Sequence, residues 1–373
     1  MVIVPSSVAP HLANAGAKGK GSGGAWRVTM AGGARNLGQG QNPGCAMDDL
    51  TIFTLDGQGH SAEGPGDGAA AAGEKGAAGA EGRGFVWVNL NFTSAAGLAW
   101  LDGATLDPIA REALVAAETR PRCTVLDEMA LINLRGVNLN PGEEPEDMVS
   151  LRLCVSEGRV ISAQRRPLKA LDDVMAGLRA GHGPAGPGEL VARLALRLAD
   201  RAEPVVATLN ERLDEMEDRV SDEAGADLRR ELADVRRVSS VLRRFMFPQR
   251  DALSTLEIED FAWLSQRDRS RLREATERVT RLTEELEAIR DRAQVVRDQI
   301  VDIRAEAMNR QMLVLSVVAA IFLPLGLVTG LLGINVGGIP GQEVPWAFWA
   351  VCALLLVICA CLIWLFRRLK LLG

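Results

Sequence analysis

The sequence has 373 residues, of which 47% are hydrophobic and 24% are charged, and its formal net charge is -6 at pH 7. An excess of acidic residues argues against a nucleic-acid-binding protein, for which a basic surface is expected. The six cysteines form no CxxC pair, and His11, His60 and His182 lie in Gly- or Pro-rich surroundings. The spacing therefore indicates neither a disulfide framework nor a metal-ligand cluster.

Two stretches, residues 1–47 and 57–84, are rich in Gly and Ala and poor in large apolar side chains. Segments of this composition bury too little apolar surface to offset the entropy that is lost on ordering. We therefore predict a disordered tail over 1–47 and a disordered low-complexity insert over 57–84, placed between two strands.

The segment 48–182 alternates strand-like and helix-like patterns. Runs of β-branched and aromatic residues predict strands, and three- and four-residue apolar spacing predicts helices. The predicted strands are 50–55, 85–91, 130–134, 149–155 and 160–163, and the predicted helices are 106–118 and 168–180. Because the two kinds of element interleave, we expect a small α/β domain.

After a Pro- and Gly-rich break the pattern becomes helical. Residues 183–264 predict an antiparallel helical hairpin, interrupted near 222–227. A longer helix follows over 265–332, in which apolar residues hold two heptad positions through five heptads: Leu272, Val279, Leu286, Ala293, Ile300 and Ala307 at one, and Ala275, Leu282, Ile289, Val296 and Ile303 at the other. Such a seam is typical of a bundle or a coiled coil, and we expect it to help copies of the chain associate. A rigid rod that carries a signal and a passive stalk fit it equally well.

Two uncharged apolar stretches, 312–332 and 346–366, close the chain, and each is long enough to cross a bilayer. The loop between them, 333–345, contains no Lys or Arg, whereas cations stand on both sides of the hairpin: Arg304, Arg310, Arg367, Arg368 and Lys370. By the positive-inside rule we expect both termini, including the basic tail 367–373, in the cytoplasm and the loop outside. No Gly or Pro separates the heptad seam from the first span, so one helix should run from cytoplasm into membrane.

A single hairpin encloses no path for a polar solute, so a channel would need several copies. The first span carries small and weakly polar residues, which suit either close packing or a pore wall. The loop offers backbone carbonyls at its glycines, an amide oxygen at Asn335 and a carboxylate at Glu343. Oxygen ligands repeated round a ring favour cations.

The loop begins Gly333-Ile334-Asn335 and continues Val336-Gly337-Gly338-Ile339-Pro340-Gly341. A Gly-x-Asn signature that closes a first transmembrane helix, with a second helix and a basic end after it, resembles the CorA family of divalent-cation transporters, and the following residues are similar to its ZntB zinc-transporter branch. Cytoplasmic segments at 87–91, 118–122 and 243–250 resemble the same family. Ile334 replaces the Met that is usual there, which points away from magnesium transporters.

The resemblance implies an α+β fold: a cytoplasmic α/β layer, a long helical stalk and two C-terminal transmembrane helices, assembled as a homopentameric funnel. It places Asn335 in an outer selectivity ring that holds the metal ion through water, and Asp298 in an acidic ring at the cytoplasmic pore mouth as a further metal contact. The pore face that it implies consists of Gly330, Gly326, Leu323, Ala319, Leu315 and Met312.

The expected function is transport of a divalent metal ion, zinc above all, across the inner (plasma) membrane, with no permanently bound cofactor and Zn²⁺ as substrate. The resemblance associates this with proton-coupled uptake, although neither span has an acid or a histidine, so passive conduction stays open. The rivals are a magnesium, cobalt or nickel channel of the CorA type and a membrane-tethered sensor or scaffold. We expect no enzyme, since no nucleophile–base set can be assembled from three histidines in loops.

Overall fold

The computed structural model describes residues 49–64, 84–117, 120–220, 226–334, 341 and 344–369. The tail 1–47, most of the insert and the basic residue Lys370 lie outside these ranges. Strands and helices follow one another in the order β1 Leu50–Leu55, β2 Ser61–Gly64, β3 Phe85–Asn91, α1 Ala95–Gly103, α2 Pro108–Val115, β4 Arg122–Leu126, β5 Met129–Gly136, β6 Val149–Ser156, β7 Arg159–Gln164, α3 Lys169–Arg179, α4 Pro187–Arg219, α5 Ala226–Ile258, α6 Gln266–Leu332 and α7 Ala347–Arg368.

The strands form one seven-stranded sheet in the order β2-β1-β3-β7-β6-β5-β4. All neighbours are antiparallel except β3 and β7, which are parallel. One face packs in a core that includes Leu171 of α3 and Leu194 of α4, and the other packs against Leu101 of α1 and Leu114 of α2. The domain is therefore a sheet between two helical layers, an arrangement more specific than the small α/β domain that the sequence predicts.

The two central strands are joined by buried polar side chains as well as by their backbones. The indole Nε1 of Trp87 donates to Ser162 Oγ at 2.9 Å, and Ser162 Oγ donates to Asn89 Oδ1 at 2.8 Å. All three residues are buried. Because buried polar groups need partners, this network restricts which side chains fit at the β3–β7 junction.

The prediction of disorder over 57–84 is wrong at its beginning. Ser61–Gly64 forms β2 and pairs with β1. Two side-chain contacts hold this edge to α3: Ser61 Oγ donates to the carbonyl of Leu178 at 2.9 Å, and Arg179 donates two hydrogen bonds to Glu63, at 2.9 and 2.8 Å. An edge strand held by backbone and ionic bonds needs few apolar residues, so composition does not reveal it. The rest of the insert, 65–83, lies outside the described residues.

Other differences occur where short elements replace or follow turns. The strand β4 and the helix α1 were not predicted, and the predicted helix 106–118 is shorter, since α2 begins at Pro108 after Asp107 accepts hydrogen bonds from two backbone N–H groups. Helix α1 depends on Gly97: a Cβ there would lie 2.1 Å from the carbonyl oxygen of Asn91. The close approach of helix and strand explains a glycine that weakens the helical pattern.

Helices α4, α5 and the N-terminal half of α6 form a three-helix bundle within one chain. The heptad seam of α6 is buried in it from Leu272 to Ile300, whereas Ile303 and Ala307 are exposed. The expectation that this seam joins copies of the chain is therefore wrong, because α4 and α5 already cover it. Any association must use other faces of α6.

Ionic contacts fix α4 to α6 at both ends of the bundle. Near the start of α4, Glu189 accepts a hydrogen bond from the backbone N–H of Ala185 at 2.9 Å and pairs with Arg193 and with Arg271 of α6. Burial alone would raise the pKa of Glu189, but these hydrogen bonds lower it to about 2. Near the end of α4, Glu217 binds Arg292 of α6 at 2.7 Å. The hydrogen bond to this carboxylate raises the pKa of Arg292.

Helix α6 begins at a capping box, in which Ser265 and Asp268 bond each other's backbone N–H groups, and continues unbroken for 67 residues. At about 1.5 Å per residue it is roughly 100 Å long. Its C-terminal part and α7 are both long and apolar enough to cross a membrane, with mean hydropathies of 2.5 and 2.8 over their most apolar windows. Almost none of those residues is buried by the chain itself, unlike the core helices of a soluble protein.

The contacts of Glu189 predict a pH-dependent stability. Since its folded pKa is depressed, its contribution is present above its ordinary pKa of 4.5 and is lost as the pH falls towards 2. We expect Glu189→Gln to lower the unfolding free energy of the purified chain by about 1–3 kcal/mol at pH 7 and to have little effect near pH 2, measured by thermal unfolding.

The matched control is Glu203→Gln, which removes an exposed carboxylate 4.0 Å from Arg281 on the same two helices. Exposed pairs contribute little, so this variant should unfold like the unaltered chain. Equal losses in the two variants, or a loss from Glu189→Gln that does not shrink with falling pH, would contradict the assignment.

Candidate cation path

The six residues that the resemblance places on the pore face lie together on α6. Met312, Leu315, Ala319, Leu323, Gly326 and Gly330 recur at steps of three and four, so they form one stripe along the helix. We refer to them as the ladder. The exposed fraction of Leu315 is 70% and that of Leu323 is 77%. The side chains of this stripe are therefore uncovered by the chain's own described elements.

The opposite side of the same helix is the covered one. Helix α7 packs against α6, and Val317, which lies across the helix from the ladder, is only 7% exposed. The less exposed residues of this part of α6 are Leu313, Val317, Ile321, Pro324, Leu325 and Val328. Helix α7 thus occupies the side away from the ladder and leaves the ladder open.

The C-terminal part of the ladder consists of Gly326 and Gly330, which have no side chains. A Cβ added at Gly326 or at Gly330 would meet no atom of the described chain within 4 Å. Neither glycine is therefore required by packing within the chain, and neither has a positive φ. A reason for glycine at these positions has to come from outside the single chain.

The outer end of the path is described only in part. The backbone N–H of Gly333 donates to the carbonyls of Thr329 at 2.9 Å and Gly330 at 3.2 Å, which ends α6. Ile334 is exposed. Asn335 and Glu343, the two loop residues to which a role is assigned, lie outside the described residues, so their predicted positions stay predictions.

Towards the N-terminus of α6, Asp298 lies on nearly the same side of the helix as the ladder, about 21 Å from Met312 along the axis. The side-chain amide of Gln294 donates to both of its carboxylate oxygens, at 2.9 and 3.1 Å, and Arg297 lies 3.3 Å from Oδ1. Asp298 is exposed. In the described ranges, no three His, Cys, Asp or Glu residues of one chain come together as metal ligands, so Asp298 alone is a weak site.

The two cysteines of the sheet, Cys123 and Cys154, are poor ligand candidates. Burial raises the pKa of Cys123 to about 12 and the pKa of Cys154 to about 11. The thiolate is the form that binds metals, and these thiols stay protonated at neutral pH. Their packing in the sheet accounts for them.

Comparison with known proteins identifies the family of the chain. The CorA-like Mg2+ transporter protein family matches residues 82–368. The chain belongs to this family. It is 42% identical over 275 residues to the divalent cation transporter CmaX of Pseudomonas aeruginosa, covering 73% of this chain and 83% of that one. It is 35% identical over 285 residues to the zinc transport protein ZntB of Pectobacterium carotovorum, covering 76% and 87%.

Among solved structures, that of full-length CmaX superposes with a TM-score of 0.73 at 37% identity, covering 87% of this chain and 99% of that one. The CorA-family resemblance and the α+β fold with a long helical stalk are thus confirmed. The relatives named here are transporters, which agrees with the expectation that the chain is not an enzyme.

The segments N-terminal to the membrane spans that resemble the family have structural roles in this chain. Trp87 and Asn89 belong to the buried network of β3. Gln249 of α5 is buried and accepts a hydrogen bond from the backbone N–H of Arg135 at 2.7 Å, and the guanidinium of Arg135 lies 4.2 Å from the ring centre of Phe245. The contacts of Gln249 and Phe245 with Arg135 join α5 to the sheet, and none of these residues lies on the ladder.

Sequence reasoning missed the arginines beside the path. Arg290 binds Asp291 at 2.9 Å, and Arg297 contacts Asp298 in the same way one heptad later. The recurrence of an Arg-Asp pair after seven residues is visible in the sequence. It was overlooked because mixed charges on a helix usually mark a solvated face.

Proposed function

We propose that the chain conducts divalent cations, zinc above all, along the ladder at the centre of a ring of five copies in the inner membrane, with both termini in the cytoplasm. The observation that carries the proposal is the uncovered ladder. A membrane-spanning helix with its own partner, α7, on one side and an uninterrupted open stripe on the other needs further helices to complete a pore wall. The number five comes from the resemblance to the CorA family.

The residues along this path suit weak binding. Soft Cys and His ligands would hold zinc tightly, whereas conduction requires an ion to leave each site. Asn335 and loop carbonyls would hold a partly hydrated ion through water, and Glu343 would raise the local cation concentration. Rings of Leu323 and Met312 would act as apolar gates that lose water when narrow.

Zinc is the first candidate because the ZntB relatives are named zinc transport proteins, and because Ile334 replaces the Met that is usual in the family signature. The second candidate is a magnesium, cobalt or nickel channel, which the family's own description as a Mg2+ transporter favours. Influx into proteoliposomes of Zn²⁺, Mg²⁺, Co²⁺ and Ni²⁺ in parallel separates the two. A chain that passes magnesium and excludes zinc would replace the first candidate by the second, and absence of flux for all four ions would leave the sensor or scaffold.

The outer ring is tested at Asn335. We expect Asn335→Ala to lower zinc flux at least about tenfold, because losing one ion contact in every copy removes more than 1.4 kcal/mol of stabilisation. Gln342→Ala is the control, since it removes an amide from the same loop. Unchanged flux in Asn335→Ala would disprove the selectivity-ring role.

The ladder is tested with two adjacent alanines that are both exposed in the chain. Ala319 belongs to the ladder, whereas Ala320 points about 100° away from it. We expect Ala319→Leu to narrow the path and abolish most zinc flux, and Ala320→Leu to leave most of it, in samples whose subunit number is first confirmed by mass. The reverse order would place the path on another face of α6.

Coupling to protons is tested by the driving force. Since neither membrane span contains Asp, Glu or His, we expect zinc flux to follow the membrane potential and to respond little to an imposed pH gradient at zero potential. The measurement is the initial rate with a pH gradient alone, a potential alone, and both. A rate that rises severalfold with the pH gradient alone would establish proton-coupled uptake instead.

A further inference from the structure

The exposed part of α6 below the membrane has charges of opposite sign on its two sides. With about 100° of turn per residue, Arg290, Arg297 and Arg304 share one side, which we term the arginine flank. The other side, the acidic flank, consists of Asp291, Asp298, Asp302 and Glu306. Between the flanks lies the face of Gln294, Val301 and Ala305, which continues upwards into the ladder.

The neighbouring helices extend the two flanks. A groove between α5 and α6 lies beside Arg297 and is lined by Arg229, Arg236, Arg237 and Ser240 over a floor of Ala233 and Ala293. Arg237 is neutralised by Glu146 and Asp234, at 2.7 and 2.9 Å. Among the described residues Arg229 and Arg236 have no ion-pair partner, so this groove is basic.

A second groove, between α4 and α6, lies at the same height on the other side of α6. Its lining includes Asp302, Gln299 and Val295 of α6 and Glu217 and Val220 of α4. Glu217 is paired with Arg292, whereas Asp302 has no ion-pair partner among the described residues. This groove carries the acidic flank.

Exposed apolar side chains lie beside both sets of charges. Val295, next to the acidic flank, is 57% exposed, and Met308, next to the arginine flank, is 59% exposed. Exposed salt bridges contribute little by themselves, so an interface also needs apolar area to bury. Both flanks supply it.

In the proposed ring, neighbouring copies are related by rotation about a common axis, so different surfaces of two copies meet. Such a head-to-tail contact can bring the arginine flank of one copy against the acidic flank of the next, and it closes into a ring when the rotation closes. We propose that the arginine flank of α6, with Arg229 and Arg236 of α5, binds the acidic flank of α6 in the next copy. The inference rests on the proposed ring and adds the surface that builds it.

The contact would also change the surroundings of Asp298. Within one chain Arg297 reaches Asp298 Oδ1 at 3.3 Å, which is long for a charge-assisted bond. An Arg297 side chain that turns to Asp302 or Glu306 of the neighbouring copy no longer contacts Asp298 of its own chain, which then keeps only its hydrogen bonds from Gln294. The interface would thereby leave the pore-mouth carboxylates available to a cation.

The test uses a zero-length carbodiimide cross-linker, which joins an amine to a carboxylate only when the two are in contact. Helix α6 has no lysine, so Arg297→Lys keeps the charge and introduces one amine on the arginine flank. We expect this chain, purified in detergent, to give cross-linked multimers on denaturing gels well above the background of the unaltered chain. Adding Asp298→Asn, Asp302→Asn and Glu306→Gln together should return the signal to that background.

The matched control is Arg281→Lys, which places an amine on the same helix beside Glu203 of its own chain and should link only within the chain. The mass of the unaltered protein is measured first. A monomer would overturn both the proposed ring and this interface. A multimer in which Arg297→Lys cross-links no more than Arg281→Lys, or cross-links equally without the acidic flank, would overturn the interface and leave the proposed function standing.

Discussion

The burial of the α6 seam by α4 and α5 is the contact on which the rest of the molecule depends. The seam fixes the rotation of α6 about its own axis in the three-helix bundle. Because the helix is unbroken from Gln266 to Leu332, the same rotation decides which side chains face outwards within the membrane. A shift of one residue in the seam would turn the ladder by about 100°, so the packing of Leu286 or Val296 sets the direction of Gly330.

The periodicity of α6 predicted that one face is buried but not what buries it. A heptad of Leu, Val and Ala is satisfied equally by a neighbouring copy and by helices of the same chain. The answer lies in α4 and α5, whose own apolar positions, such as Leu213 and Leu242, are fully buried against it. Both residues belong to the helical hairpin that the sequence predicts. Pairing the apolar faces of its two helices with the apolar face of α6 would have placed the seam inside the chain.

The sheet was predictable where strands are apolar and central, and unpredictable at its edges. Phe85–Asn91 is buried along nearly its whole length, and such a run cannot be taken for a loop. At the edges, Ser61–Gly64 and Arg122–Leu126 are mostly exposed, because an edge strand is held by backbone bonds and local ion pairs such as Glu63–Arg179. The selectivity role predicted for Asn335 rests on the Gly-x-Asn signature of the family, and no periodicity in this chain indicates it.

The chemistry of the ladder limits how an ion could pass it. From Met312 to Gly330 the path is about 27 Å long, and its side chains are methyl, methylene and thioether groups or no side chain at all. An ion stripped of water in such surroundings would be strongly disfavoured, so a conducting pore must keep part of its hydration shell. Selection by amide and carbonyl oxygens through water at Asn335 fits that requirement better than direct ligation would. On the proposed path, charge would be confined to the two ends, where Asp298 and Glu343 would gather cations without holding them.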